Sequence, residues 1–153
     1  MAYTELMPRP TARPLGLVRA ATSKAVSRAF DDALREAGGS LPIWLVVANL
    51  TGDRWPSQLE LARSVGIEGA TLTRHLDGME RAGLVERRRD GSDRRAVNVE
   101  LTDSGRELHQ RLLQAVIAFN RELHAGLGDE EADRFRATLE KLRENVTKAG
   151  PRA

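Results

Sequence analysis

Between residues 57 and 101 the spacing of the apolar residues changes period, and no other feature restricts the fold of this chain as much. Leu72, Leu76 and Met79 stand at i, i+4 and i+7, one face of a helix. Val97, Val99 and Leu101 then alternate with Asn98 and Glu100, the period of a half-buried strand. Ahead of both, Ser57-Gln58-Leu59-Glu60 forms a capping box. It predicts a helix to about Val65, with Leu59, Ala62 and Val65 inward and Gly66 in the turn. A second helix is expected over residues 69–82, closed by Gly83. Residues 84–88 alternate as a first strand, and Asp90-Gly91-Ser92-Asp93 is the turn signal before the second. The segment reads as helix, turn, helix and β-hairpin.

Helical patterns flank this segment. One starts near Pro14 and ends at Gly38 and Gly39. Ser40 is placed to cap the next helix, with Pro42 in its first turn. "IWLVVANL", residues 43–50, is apolar nearly all round and predicts a central, buried helix broken by Gly52 and Asp53. Trp55, before Pro56, is assigned to a short edge strand beside the hairpin. Thr102 caps a long helix striped by Leu108, Leu112, Ala115, Val116, Phe119 and Leu123. Gly126 and Gly128 break it. Asp129-Glu130-Glu131 opens a last helix striped by Phe135, Leu139, Leu142 and Val146. A central segment of about 50 residues cannot cover the stripes of the first, fifth and sixth helices together, and an uncovered apolar patch of that size calls for a partner. An isologous homodimer with those helices interleaved meets the need.

Composition narrows the chemistry. Aromatic residues are 4% of the chain, so Leu, Val and Ala must fill the core. Cations are 21 Arg against 3 Lys, which suits bidentate grip on phosphates or bases and equally follows from genome composition. The net charge is only +2, so a nucleic-acid surface has to come from clustering. Residues 81–95 supply it: six Arg (81, 87, 88, 89, 94, 95) against Glu86, Asp90 and Asp93. There is no cysteine, which removes disulfides, thiolate catalysis and thiol redox sensing and fits a cytoplasmic protein. No apolar run approaches the ~20 residues of a membrane span. The start, "MAYTELMPRPTARP", reads as a loose arm, not a signal peptide. No Ser/His/Asp grouping, phosphate-binding glycine loop or metal constellation stands out, so no enzyme, cofactor or metal site is expected.

"SQLELARSVGIEGATLTRHLDGMERAGLVERRRDGSDRRAVNVELTDSGREL" resembles the MarR/SlyA family of bacterial transcription regulators. The marks are Leu61-Ala62, Gly66-Ile67-Glu68, Leu72-Thr73-Arg74, Gly83-Leu84-Val85, Asp93-Arg94-Arg95, and Leu101-Thr102 followed by Gly105. The resemblance implies a mostly α fold with a small β-wing: a winged helix-turn-helix lobe plus long helices forming a dimerisation lobe. Its divisions are an arm at 1–13, a dimerisation region at 14–38 and 102–148, a DNA-binding region at 40–101 and a tail at 149–153. The recognition helix falls at about 69–82 and the wing at about 84–101. The resemblance also implies a wing arginine in the minor groove and release from DNA by a small aromatic or anionic compound held between the lobes. Without cysteine, the oxidation mechanism of the peroxide-sensing branch has no counterpart here. His75, His109 and His124 are scattered and suggest no metal site of the zinc-sensing kind.

Physical chemistry then distributes the roles on double-stranded DNA. Phosphate contacts are expected from the helix N-terminus at Gly69, with Ala70 leaving room, and from Thr71, Arg88, Arg89 and Arg94. Arg74 is expected to read guanine, with Thr73 and His75 beside it. Arg95 is assigned to the minor groove, where A·T-rich segments concentrate negative potential. Asp93 either orients these arginines or is a plain turn residue. Trp44 and Val47 either line an effector cleft or pack in the core. The arginines at 87–89 either meet DNA or form a solvated strand end. A pseudo-palindromic operator follows from the dimer. Two alternatives stay open: a ligand-insensitive DNA-binding repressor, and a winged-helix module that binds protein.

Overall fold

The computed structural model of the protein describes residues 13–51, 58–89 and 97–148, with the backbone alone at Leu59, Arg89 and Val97. The elements are α1 (Leu15–Glu36), α2 (Leu41–Leu50), α3 (Gln58–Val65), α4 (Gly69–Arg81), β1 (Val85–Arg89), β2 (Val97–Leu101), α5 (Asp103–Leu123) and α6 (Asp129–Lys148). Among the described residues this is a mostly α chain with one two-stranded antiparallel ribbon, the fold class read from the sequence. The Ser57 cap, the break at Gly52 and Asp53, Trp55 with its edge strand, the hairpin tip at 90–93, and the terminal segments 1–12 and 149–153 lie outside the described residues. No described helix is long and apolar enough to cross a membrane.

The chain divides into two units between Val116 and Ile117, within α5. The first has a single core. Leu34 of α1, Val46 and Val47 of α2, Leu61, Ala62 and Val65 of α3, and Leu72, Leu76 and Met79 of α4 meet there. Val85 and Val99 of the ribbon join them, with Leu101, Leu108 and Leu112. Each fully buried Leu contributes about 1.5–3 kcal/mol relative to exposure. The α4 stripe therefore pins that helix by one face and leaves the other to solvent.

Local chemistry sets the ends of the elements. At the end of α4, Gly83 turns left-handed (φ 70°), a conformation that costs glycine nothing. Its N–H then reaches the Glu80 carbonyl while that of Leu84 reaches Met79, which satisfies two terminal acceptors. The same pattern closes α1 at Gly38 and α3 at Gly66. Ser40 departs from its expected role: its backbone is extended at the N-cap, but its hydroxyl makes no capping bond. Pro42 occupies the second helical position and removes one of the two N–H groups such a cap would reach. Thr102 does cap: its hydroxyl accepts from the Gly105 N–H at 3.0 Å. The same hydroxyl donates to the Gly83 carbonyl at 2.6 Å, and the Thr102 N–H donates to the Leu84 carbonyl at 3.1 Å. The exit of α4, the end of β2 and the start of α5 are thus tied at one point.

In the second unit, Phe135, Leu139 and Val146 of α6 are 56%, 40% and 68% exposed, and Ile117, Leu123 and Leu127 are exposed as well. Leu15, Leu17 and Val18 at the start of α1, in the first unit, also face solvent. Of the stripes foreseen on the flanking helices, Leu108 and Leu112 of α5 are covered by the first unit's core, while the residues just named stay exposed.

Candidate nucleic-acid interface

The outward side of α4 carries Gly69, Ala70, Thr71, Thr73, Arg74 and His75, all exposed or half-buried. Glu68 at its N-cap is extended and gives no side-chain cap, and the first N–H to find a backbone acceptor is that of Leu72, bonded to Glu68. The N–H groups of Gly69, Ala70 and Thr71 stay open toward solvent, where the helix dipole favours an anion. A Cβ placed on Gly69 would meet nothing within 4 Å. Its lack of a side chain serves no internal packing and leaves the backbone approachable from outside. Thr73 donates its one hydroxyl proton to the Gly69 carbonyl at 2.9 Å, closer than the Gln58 amide oxygen at 3.5 Å. Toward a ligand Thr73 therefore offers a methyl group and a lone pair. Arg74 is exposed and makes no hydrogen bond or ion pair with any described residue.

The ribbon rises beside α4 in the register Val85↔Leu101, Glu86↔Glu100, Arg87↔Val99, Arg88↔Asn98, Arg89↔Val97. Its arginines do not act as one cluster. Arg88 is 67% exposed and paired to Glu86 at 3.2 Å, an exposed contact that holds it weakly. Arg87 is turned inward instead, with its side chain 20% exposed, and bonds to α4. This corrects the solvated-strand reading at residue 87. The backbone of Arg89 pairs with Val97; its side chain, together with Asp93, Arg94 and Arg95, lies outside the described residues.

Trp44 on α2 is half-buried and stacks on His109 of α5, with ring centroids 5.8 Å apart and planes 4° from parallel. Nothing local in the sequence brings these two together; His109 merely flanks the buried Leu108 and Leu112. Val47 is wholly enclosed in the core and presents no surface to a ligand. Among the described residues no cluster of His, Asp and Glu is arranged to hold a metal.

The sequence model of the MarR family matches residues 44–97. The solved transcriptional regulator PA3341 is 33% identical with a TM-score of 0.67, over 88% of this chain and 99% of that one. The Mycobacterium tuberculosis transcriptional regulator MosR, solved in complex with DNA, is 28% identical with a TM-score of 0.64, over 88% and 98%. The Mycobacterium tuberculosis MarR-family protein Rv2887, solved in complex with salicylic acid, is also 28% identical, with a TM-score of 0.62 over 86% and 98%.

Proposed function

The chain belongs to the MarR family of transcriptional regulators, and from that premise we propose that it works as a dimeric, sequence-specific DNA-binding repressor, released from its operator by a small aromatic or anionic ligand. Members of this family are regulators, not enzymes. The observation that carries the proposal is the outward face of α4. An uncapped first turn and a free arginine one turn on, with the exposed Arg88 of the ribbon alongside, form a surface with open N–H groups suited to an anion and a bidentate donor on one helix.

On duplex DNA, α4 lies in the major groove. The first-turn N–H groups and Thr71 hold phosphate, and Arg74 grips guanine O6 and N7, worth about 1–3 kcal/mol of discrimination. Thr73 and His75 shape the contact around it. Arg88, Arg89 and Arg94 supply phosphate contacts, Arg95 enters the minor groove, and Asp93 orients Arg94 or Arg95. The exposed apolar faces of α1 and α6 support an isologous dimer, and two symmetric lobes then read half-sites about one helical turn apart. The DNA-bound MosR and the salicylate-bound Rv2887 support DNA and a small aromatic acid as partners. The half-buried Trp44–His109 stack would offer such an acid aromatic surface with a polar ring beside it. The protein acts in the bacterial cytoplasm, on the nucleoid.

The test is a salt titration of binding to a duplex selected from genomic DNA. Affinity is expected to fall linearly on a log–log plot against salt, and Arg74→Ala and Arg95→Ala to weaken it strongly. Binding like the wild type by both variants at physiological salt would remove this mechanism. A protein that ignores every duplex even in dilute buffer would leave the protein-binding module as the better reading.

A further inference from the structure

Strand alternation puts Val85 and Arg87 of β1 on the side facing the core, and Glu86 and Arg88 on the other. A charge on the inner side needs partners, and Arg87 takes them all from α4. One terminal nitrogen, Nη2, donates to Asp77 Oδ1 at 2.6 Å and to the Thr73 carbonyl at 3.2 Å. The other, Nη1, stands 3.7 Å from Glu80 Oε2. One planar guanidinium therefore spans two turns of α4 and ends on the residue next to Arg74. The arrangement adds little to stability. Arg87 Nε is buried without a partner, an unfavourable state, and both carboxylates are nearly half exposed and screened by water. What a fork of fixed geometry adds is a set position.

We propose that Arg87 is a positioning residue: it locks α4 to the first strand of the wing, so that Arg74 and the wing arginines meet the duplex in one fixed relation, and it contacts no DNA itself. This rests on the DNA-binding reading above and deepens it. Pairing with Arg87 also brings the local charge of Asp77 and Glu80, two acids on the reading lobe, from −2 to −1.

The experiment compares wild type, Arg87→Met, Asp77→Ala and the double variant. The probe is a duplex enriched from a randomised library by the wild-type protein, titrated across a range of salt, with circular dichroism melts beside it. Each single variant is expected to bind about tenfold more weakly, and the double no worse than either single, because the two residues act as one device. The slope of affinity against salt is expected to stay that of the wild type in all three. Asp77→Ala removes the carboxylate and its acceptor together. Removing an acid from the reading lobe would tighten binding if only electrostatics mattered, whereas a lost clamp weakens it. Alanine is the best helix former and Asp77 is nearly half exposed, so Asp77→Ala decides the question even where Arg87→Met unfolds. Binding by Asp77→Ala equal to or tighter than wild type overturns the proposal. So does a slope reduced by about one in Arg87→Met, the mark of a lost phosphate contact. A wild type that binds no duplex brings down the DNA-binding reading and this inference together; salt-dependent wild-type binding with unaffected variants brings down this inference alone.

Discussion

Gly105→Ala would place a methyl group where the backbone already stands. A Cβ built on Gly105 lies 2.0 Å from the Leu84 carbonyl oxygen and 3.1 Å from both the Leu84 carbonyl carbon and Leu101 Cδ2. No rotamer change relieves the first clash, because the obstacle is main chain. The Leu84 carbonyl must retreat by roughly 1 Å or more to reach ordinary van der Waals separation. It is held by the Thr102 N–H, and the adjacent Gly83 carbonyl is held by the Thr102 hydroxyl. Overpacking of this kind costs about 1–3 kcal/mol. Straining the two hydrogen bonds adds about 0.5–1.5 kcal/mol each. The better helix propensity of alanine returns up to about 1 kcal/mol. The net expectation is a loss of about 2–4 kcal/mol, a large share of the ~5–15 kcal/mol that holds a domain folded. Gly78→Ala is the internal control. It is the same chemical change inside α4, where a Cβ meets nothing within 4 Å, and it should stabilise by up to about 1 kcal/mol. Urea unfolding followed by circular dichroism, at one fixed protein concentration so that the proposed dimer contributes equally, reads both. A Gly105→Ala midpoint at or above that of the wild type would refute the reasoning.

Two further outcomes are expected. Phe135→Asp places a charge on the exposed apolar face of α6, and light scattering should show the proposed dimer shifted toward monomer; an unchanged mass would mean that this face lies outside any interface. Salicylate should change the emission of Trp44 and raise the melting temperature, and Trp44→Ala should abolish both responses; a protein indifferent to aromatic acids would favour the ligand-insensitive repressor.

Much of the reading lobe was legible along the chain because its signals are local. The α4 stripe of Leu72, Leu76 and Met79 is fully internal, and Val99 and Leu101 are buried in the alternation expected of them. The turn glycines Gly66 and Gly83 sit at the left-handed positions that ended the predicted helices. What escaped depends on approach through space. The arginines at 87–89 read as one cluster by charge, and only the strand register divides them; alternation from Val85 was the available signal for Arg87. The stack of Trp44 on His109 joins two helices far apart in sequence, and no periodicity encodes it. Gly105 stood out by resemblance alone, and its physical reason is a carbonyl oxygen contributed from the other side of the hairpin. Ser40 had the right residue type, but the neighbouring Pro42 removed one of the donors it would have served.

The knot at Thr102 has a mechanical consequence. Helix α5 starts there, and its first ten residues, a stretch of about 15 Å, are also fastened to the first unit's core by Leu108 and Leu112. Fixed at three places along that length, this segment has no pivot of its own. Any tilt of it must drag the Gly83–Leu84 turn and the last residue of β2 along, so the root of the ribbon and the exit of α4 shift as one piece.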